Sequence, residues 1–352
     1  MLGKILLLSV GSVLMLGCQS KAPEIKTLCL RDGIGNYQIK WEIAPQIEGT
    51  LKMYVSDSPE EFDEQSPAVY APIHDGVATY ITNDNVTRKY FRLLFNNEYS
   101  QVVGARSIVM DNVQNLRDLG GYVAHDKRMT RWGKLFRSGQ LSKLSSWDSI
   151  RLDKLGLKTI IDLRTEAEIA REPIRYNRAK VVNIPIFNQS LVDVPGRITL
   201  GMMRKGDAVI CMQDFYLQMI VDENRTQLAK VFELMADPDN YPLLFNCTLG
   251  KDRTGMVAAL LLTALGVSEE TVRQDYMLSN EFINLKQLAH LASGLSTHAQ
   301  ESITVIVSAH EGYLDLAFGK MRKEYGSVDK YLSKGLQLDG NKRNQLKDIL
   351  LY

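Results

Sequence analysis

Phe245-Asn246-Cys247-Thr248-Leu249-Gly250-Lys251-Asp252-Arg253-Thr254-Gly255 lies between a short apolar run, Tyr241 to Phe245, and a longer one, Met256 to Leu265. A buried strand, a loop and a helix N-terminus in that order aim several backbone N–H groups at one spot, and such a spot binds an anion. Gly250 allows the backbone a close approach to a ligand that a side chain would prevent. Arg253 is the residue type suited to two-pronged capture of phosphate oxygens. Cys247 stands six positions before it, in the same positive field. It is therefore expected to be ionised near neutrality and to act as a nucleophile.

Outward from this stretch, Thr159 to Leu163 and Val181 to Ile186 read as further short buried strands. Ser145 or Ser146 caps a helix carrying Trp147, Ile150 and Leu155. Strands alternating with helices predict a parallel sheet with helices on both faces, and ligands then bind beyond the carboxyl ends of the strands. Cys247 and Asp162 both stand at such ends. Asn188 to Ala236 reads as helical and rich in methionine, either a mobile lid over the site or an ordinary helical pair packed on the sheet.

Towards the N-terminus the periodicity changes to two: Tyr37, Ile39, Trp41 and Ile43, then Leu51, Met53 and Val55, then Val77 to Ile81 and Tyr90 to Phe95. Short strands separated by turn clusters predict an all-β sandwich over residues 25–109, resembling an immunoglobulin or fibronectin module. The expected fold class is an α/β domain over 110–352 preceded by that sandwich domain. Before both, Lys4 and the apolar Ile5 to Leu16 read as a signal peptide over 1–17. Its Met15-Leu16-Gly17-Cys18 ending resembles a bacterial lipobox, which implies lipidation at Cys18, a tether over 18–24 and an exported chain anchored to a membrane.

The loop resembles the C-x5-R-[ST] signature of the cysteine-dependent phosphatases. In its Gly250-Lys251-Asp252-Arg253-Thr254-Gly255 detail it resembles the bacterial tyrosine-phosphatase-like family. Asn115-Leu116-Arg117-Asp118-Leu119-Gly120-Gly121, Leu135-Phe136-Arg137-Ser138-Gly139, Asp162-Leu163-Arg164-Thr165 and Asp275-Tyr276-Met277-Leu278-Ser279-Asn280 extend the resemblance over about 110–340. Where the family usually has His before the cysteine, this chain has Asn246.

The resemblance implies hydrolysis of a phosphate monoester through a cysteinyl phosphate on Cys247, without metal or other cofactor. Thr248, Leu249, Gly250, Lys251, Asp252 and Arg253 would hold the phosphate. Thr254 would hydrogen-bond the departing thiolate. The leaving oxygen needs a proton donor, and the resemblance puts Asp162 first, ahead of Asp252 and Asp214. The expected substrate is a phosphorylated protein, carrying phosphotyrosine or dual-specificity sites. Lys251 keeps a phosphoinositide as an alternative, and Asn246 keeps a lipoprotein that binds phosphorylated ligands with little turnover.

Composition sets outer limits. Among 352 residues the formal net charge is +1, which offers nothing to a nucleic-acid partner. Two cysteines remain beyond Cys18 and Cys247, too few for a disulfide framework. The scattered His290, His298 and His310 lack ligand spacing, so no metal site is expected.

Overall fold

The computed structural model describes residues 22–187 and 194–352. The signal peptide at 1–17, Cys18 and most of the tether lie outside the described residues, as does 188–193 of the methionine-rich stretch. Seven strands come first: β1 (Glu24–Arg31), β2 (Tyr37–Ala44), β3 (Thr50–Ser56), β4 (Val69–Pro72), β5 (Val77–Tyr80), β6 (Tyr90–Phe95) and β7 (Tyr99–Gly104). The chain continues through β8 (Arg117–Asp118), β9 (Leu135–Ser138), α1 (Ser146–Lys154), β10 (Thr159–Asp162), α2 (Glu166–Arg171) and β11 (Lys180–Asn183). Helices α3 (Val194–Thr199), α4 (Lys205–Gln218) and α5 (Asp222–Met235) then lead to β12 (Leu243–Asn246). Eight-residue or longer helices α6 (Asp252–Ala264) and α7 (Glu269–Met277), the short α8 (Ser279–Phe282), and α9 (Leu285–Ala292) follow. The chain closes with α10 (Thr297–Val307), α11 (Glu311–Tyr325), the short α12 (Val328–Lys330) and α13 (Gly340–Leu350).

β12 is the middle strand of a sheet ordered β11-β10-β12-β9-β8, parallel except for β8, which runs antiparallel to β9. Its four residues are all buried. Because successive side chains point to opposite faces, Leu243 and Phe245 join Ile161 and Leu135 in the larger core with α6. Leu244 joins Ile160 and Phe136 in a second core with Leu152 of α1. A strand covered on both faces reads as an unbroken apolar run, as this one does. The register sets Asp162 beside Asn246 and Asn246 beside Ser138, so three strands end in one row where the 247–253 loop begins. Helix α6 is buried along almost its whole length, from Arg253 to Leu262 and again at Ala264. Of the methionines in the helical stretch, Met212, Met219 and Met235 pack into the larger core, while Met203 joins Ile198, Cys211 and Ala299 in a small core between α3, α4 and α10.

The expected N-terminal strands are present as an antiparallel sheet β1-β2-β5 and another β4-β3-β6-β7. Their inward residues, among them Tyr37, Ile39, Trp41, Leu51, Met53 and Phe91, share one core. The expectation of a separate all-β sandwich domain is nevertheless corrected. Three sheets with flanking helices form a single continuous α/β domain. The seam supplies the reason, since a domain boundary is an exposed linker crossed by few contacts and none interrupts the chain after β7. Ser107 bridges to Arg117 of β8, and the Asp118 and Ile108 amides donate to the Arg106 and Leu116 carbonyls at 3.0 and 3.1 Å. The exit from β7 thereby hydrogen-bonds directly onto the central sheet. Arg88 is buried in the join, pairing with Asp118 and donating to the Ala105 carbonyl at 2.7 Å. Asp118 also accepts from the Gly120 and Gly133 amides, both at 2.7 Å. Trp132 donates to the Val102 carbonyl of β7 at 3.1 Å. Period-two patterning reports which face of a strand is buried; a seam built from an arginine, an aspartate and backbone leaves no such trace.

Candidate active site

Cys247 follows β12 directly and is 2% exposed. The carbonyls after it turn outward to fixed partners. Thr248 O accepts from the Gln140 amide at 3.1 Å, and the Asn115 side-chain amide donates to Leu249 O and Gly250 O at 3.2 and 2.8 Å. Arg137 donates to Gly250 O at 2.8 Å. In a trans peptide the C=O of one residue and the N–H of the next point in opposite directions. Outward carbonyls at 248–250 therefore turn the amides of Leu249, Gly250 and Lys251 inward, which is the arrangement an anion requires. Gly250 is indispensable for a reason other than ligand approach. Its φ is +66°, and a Cβ there would stand 2.4 Å from the Ser138 carbonyl. The loop is pressed against the end of β9.

Charge buried behind the loop holds this shape. Asp275 of α7 accepts from Arg137 at 2.6 Å, from Arg117 at 3.2 Å and from the Tyr122 hydroxyl at 2.8 Å. Burial alone would push its carboxyl up, but Arg117 and Arg137, with Arg106 further off, hold it well below the usual range. Arg117 also donates to Asn115, which takes a positive φ of 59° to reach the loop. Asn115 thus contacts the loop directly, whereas Asp118 serves the seam.

Arg253, on the first turn of α6, arches back over the loop. Its Nη1 and Nη2 each donate to Glu168 of α2 at 2.7 Å, and Nη2 reaches Thr248 Oγ1 at 3.1 Å. Burial would lower the Arg253 pKa, but the Glu168 carboxylate and Cys247 keep it firmly protonated. Glu168 also accepts from Thr248 Oγ1 at 2.7 Å and from the Thr165 amide at 2.9 Å. Although burial opposes it, these donors hold the Glu168 carboxyl far below its ordinary value. End-on pairing with Glu168 leaves the Nε side of the guanidinium for a ligand. Sequence reading missed Glu168, although Thr165-x-x-Glu168 is a capping box and marked the start of α2.

The remaining predicted residues are placed as follows. Asp162 is fully buried, with Arg164 donating to both carboxylate oxygens at 3.0 and 2.8 Å and the Asn246 side chain to Oδ1 at 3.3 Å. Both of its oxygens are thus engaged, in an ion pair at the end of the sheet. Lys251 is also turned away. Its Nζ is buried and donates to the Ile306 and Ser308 carbonyls at the end of α10, the latter at 2.9 Å. Helix C-termini attract cations for this reason. Asp252, by contrast, keeps its side chain partly exposed, at 15%, while accepting from Tyr216 of α4 at 2.7 Å. Asp214 is exposed on α4. Thr254 is fully buried beside the loop, and its hydroxyl has no hydrogen-bond partner among the described residues. Among the same residues, no group of three or more His, Cys, Asp or Glu could hold a metal ion.

Comparison with known proteins agrees with this geometry. The profile of the Tyrosine phosphatase family matches residues 108–352. A candidate tyrosine-protein phosphatase of Cupriavidus necator is 31% identical over 246 residues, 68% of this chain and 88% of that protein. The triple specificity protein phosphatase PtpB of Mycobacterium tuberculosis is 27% identical over 272 residues, 67% of this chain and 96% of its own. Among solved structures, the core catalytic domain of the PP-IP phosphatase SIW14 from S. cerevisiae covers 62% of this chain and 96% of its own at 16% identity and a TM-score of 0.27, at which no residue role is transferred. With a match that spans both the loop and the brace behind it, the chain belongs to the tyrosine phosphatase family and is a metal-independent, cysteine-based phosphatase.

Proposed function

We propose that the chain hydrolyses phosphotyrosine, or phosphotyrosine and phosphoserine/threonine, on proteins through a phosphate bound covalently to Cys247. The carrying observation is the loop itself: inward amides from 249 to 251, a protonated Arg253 across them and a buried sulfur at the origin. The Cys247 thiolate attacks phosphorus while the amides and Arg253 hold the equatorial oxygens as charge spreads over them. Asp252, not Asp162, gives the leaving oxygen its proton, since it is the carboxylate of the loop that remains partly exposed. Thr254, buried with a free hydroxyl, donates to the sulfur when the phosphoenzyme is hydrolysed.

The burial of Lys251 removes the second cation on which the phosphoinositide alternative relied. A cleft of about 430 Å³ shares Thr248 and Leu249 with the loop and is lined by Asn112, Gln114, Gln140 and Ser142, with the charged Asp111 and Lys143 beside them. Neutral amides and hydroxyls of this kind suit the backbone flanking a phosphorylated side chain. The Leu16-Gly17-Cys18 stretch supports an exported chain held at a membrane by lipid on Cys18.

Turnover of an aryl phosphate with chelator present tests the chemistry. Activity is expected to vanish in Cys247→Ser and to persist without metal; equal rates in variant and parent would end the proposal. Phosphopeptides are expected to outrun phosphoinositides in a common panel, and labelling with a fatty-acid analogue is expected to disappear in Cys18→Ser.

A further inference from the structure

On the face of α4 that looks towards α6 and α11, Tyr216 is fully buried, with its hydroxyl donating to Asp252 Oδ1 at 2.7 Å. The Tyr276 hydroxyl of α7 lies 2.7 Å from the same oxygen of Tyr216, and the His310 amide donates to Tyr276 at 3.4 Å. With Tyr216 donating to Asp252 Oδ1, one assignment of protons satisfies all three contacts. Tyr216 has a single O–H and directs it at Asp252, so Tyr276 must direct its own at Tyr216 while accepting from His310. Burial raises both phenols above their ordinary pKa, which keeps both as donors. Each bond in such a run polarises the next in the same direction. The rings leave little play, since Tyr216 stacks on Tyr313 at 5.5 Å and meets Tyr276 edge-on at 6.2 Å.

We propose that Tyr216, backed by Tyr276, is a positioning residue for the proton donor: it occupies Asp252 Oδ1 and so presents the proton on Oδ2 to the leaving oxygen. This inference rests on the reading of Asp252 as the acid. Lys251 Nζ, 3.3 Å from Oδ1, reinforces the same choice of oxygen. As the sulfur–phosphorus bond forms and the ester P–O bond breaks, the electron pair of the broken bond stays on the departing oxygen. The proton of Asp252 Oδ2 moves to that oxygen, and Asp252 is left as a carboxylate. The Tyr216 hydrogen bond strengthens as this charge appears on Asp252, so it favours the transition state over the bound substrate. The arrangement also makes α4, a helix outside the loop and its sheet, a contributor to the chemical step.

Leaving-group dependence distinguishes this from a packing role. Phenyl phosphate expels a basic phenoxide that needs its proton, whereas dinitrophenyl phosphate expels one that does not. Asp252→Asn is expected to lose roughly 10²–10⁴-fold in kcat on phenyl phosphate and little on the dinitrophenyl ester. Tyr216→Phe, which keeps the ring, is expected to lose roughly tenfold on phenyl phosphate, with KM unchanged and less than about twofold lost on the dinitrophenyl ester. If Asp252→Asn shows no leaving-group dependence, the acid assignment itself fails. If Asp252→Asn is selective but Tyr216→Phe matches the parent, or loses equally on both esters, the positioning role is overturned and the acid assignment stands. Should Tyr216→Phe not fold, Tyr276→Phe replaces it: a smaller loss confined to phenyl phosphate supports the chain of hydroxyls, and a uniform or absent loss overturns it.

Discussion

Behind the 247–253 loop the contacts come from buried charge: Arg117, Arg137 and Asp275 have side chains no more than 2% exposed and are bonded to one another or to loop carbonyls. In front of it, the groups that would meet a substrate are partly open. Glu168, carried by α2, is 28% exposed, and Asp252, held by Tyr216 of α4, is 15% exposed. The contrast separates two tasks. A loop that must present several amides to one point needs walls that do not yield, and desolvated ion pairs bonded to one another and to the loop provide them. Groups that grip a phosphate or hand over a proton must stay reachable, and these two keep part of their surface open.

The largest effect is expected behind the loop. Arg137→Met leaves Asp275 with one buried cation fewer and takes away one of the two donors to Gly250 O, and should cost about 3–5 kcal/mol. Urea denaturation measures it, and an unmoved midpoint would show that the brace is not structural. In front, Glu168→Gln keeps shape but loosens the grip on Arg253. Vanadate inhibition should weaken by about tenfold, on the scale of one charge-assisted hydrogen bond; unchanged inhibition would mean Arg253 needs no such partner. Lys251→Met breaks the tie to α10 and should cost about 1–2 kcal/mol. Hydrogen exchange should quicken first in α10; quickening confined to α6 would place the tie elsewhere.

The smallest effect is a slope with pH. Asp275 and Glu168 both have depressed folded-state pKa values. Their stabilisation is therefore complete above the ordinary carboxylate range and is lost as pH falls through and below it. Denaturation midpoints should fall on going below about pH 4, and Glu168→Gln should flatten part of that fall. A midpoint that rose on acidification would contradict both assignments.

Legibility in the sequence followed the same division. The middle strand, the loop and α6 could be read because each carries a local pattern: an unbroken apolar run, a glycine between Cys247 and Arg253, then an apolar helix. The strands up to β7 were readable for the same reason, through period two. What escaped were relations between distant residues. Arg88 with Asp118 cancelled the expected domain boundary, and no local rule distinguishes a buried arginine from a solvated one. Lys251 reads as a phosphate ligand by its place in the loop, yet it faces the end of α10. Asp162 and Asp252 are both aspartates beside arginines, and only burial separates them.

The sequence by itself determined the parts proposed to react: a cysteine at a strand end, an arginine on the next helix and a short loop whose backbone must converge, because these depend on neighbours in the chain. Only the tertiary structure decided which aspartate stays partly exposed, which lysine is turned to the end of α10, and that the first strands continue into the same domain. Those outcomes depend on desolvation and on partners distant in the chain, 57 positions apart for Lys251 and Ser308, and the energy of a buried charge is set by what surrounds it in space.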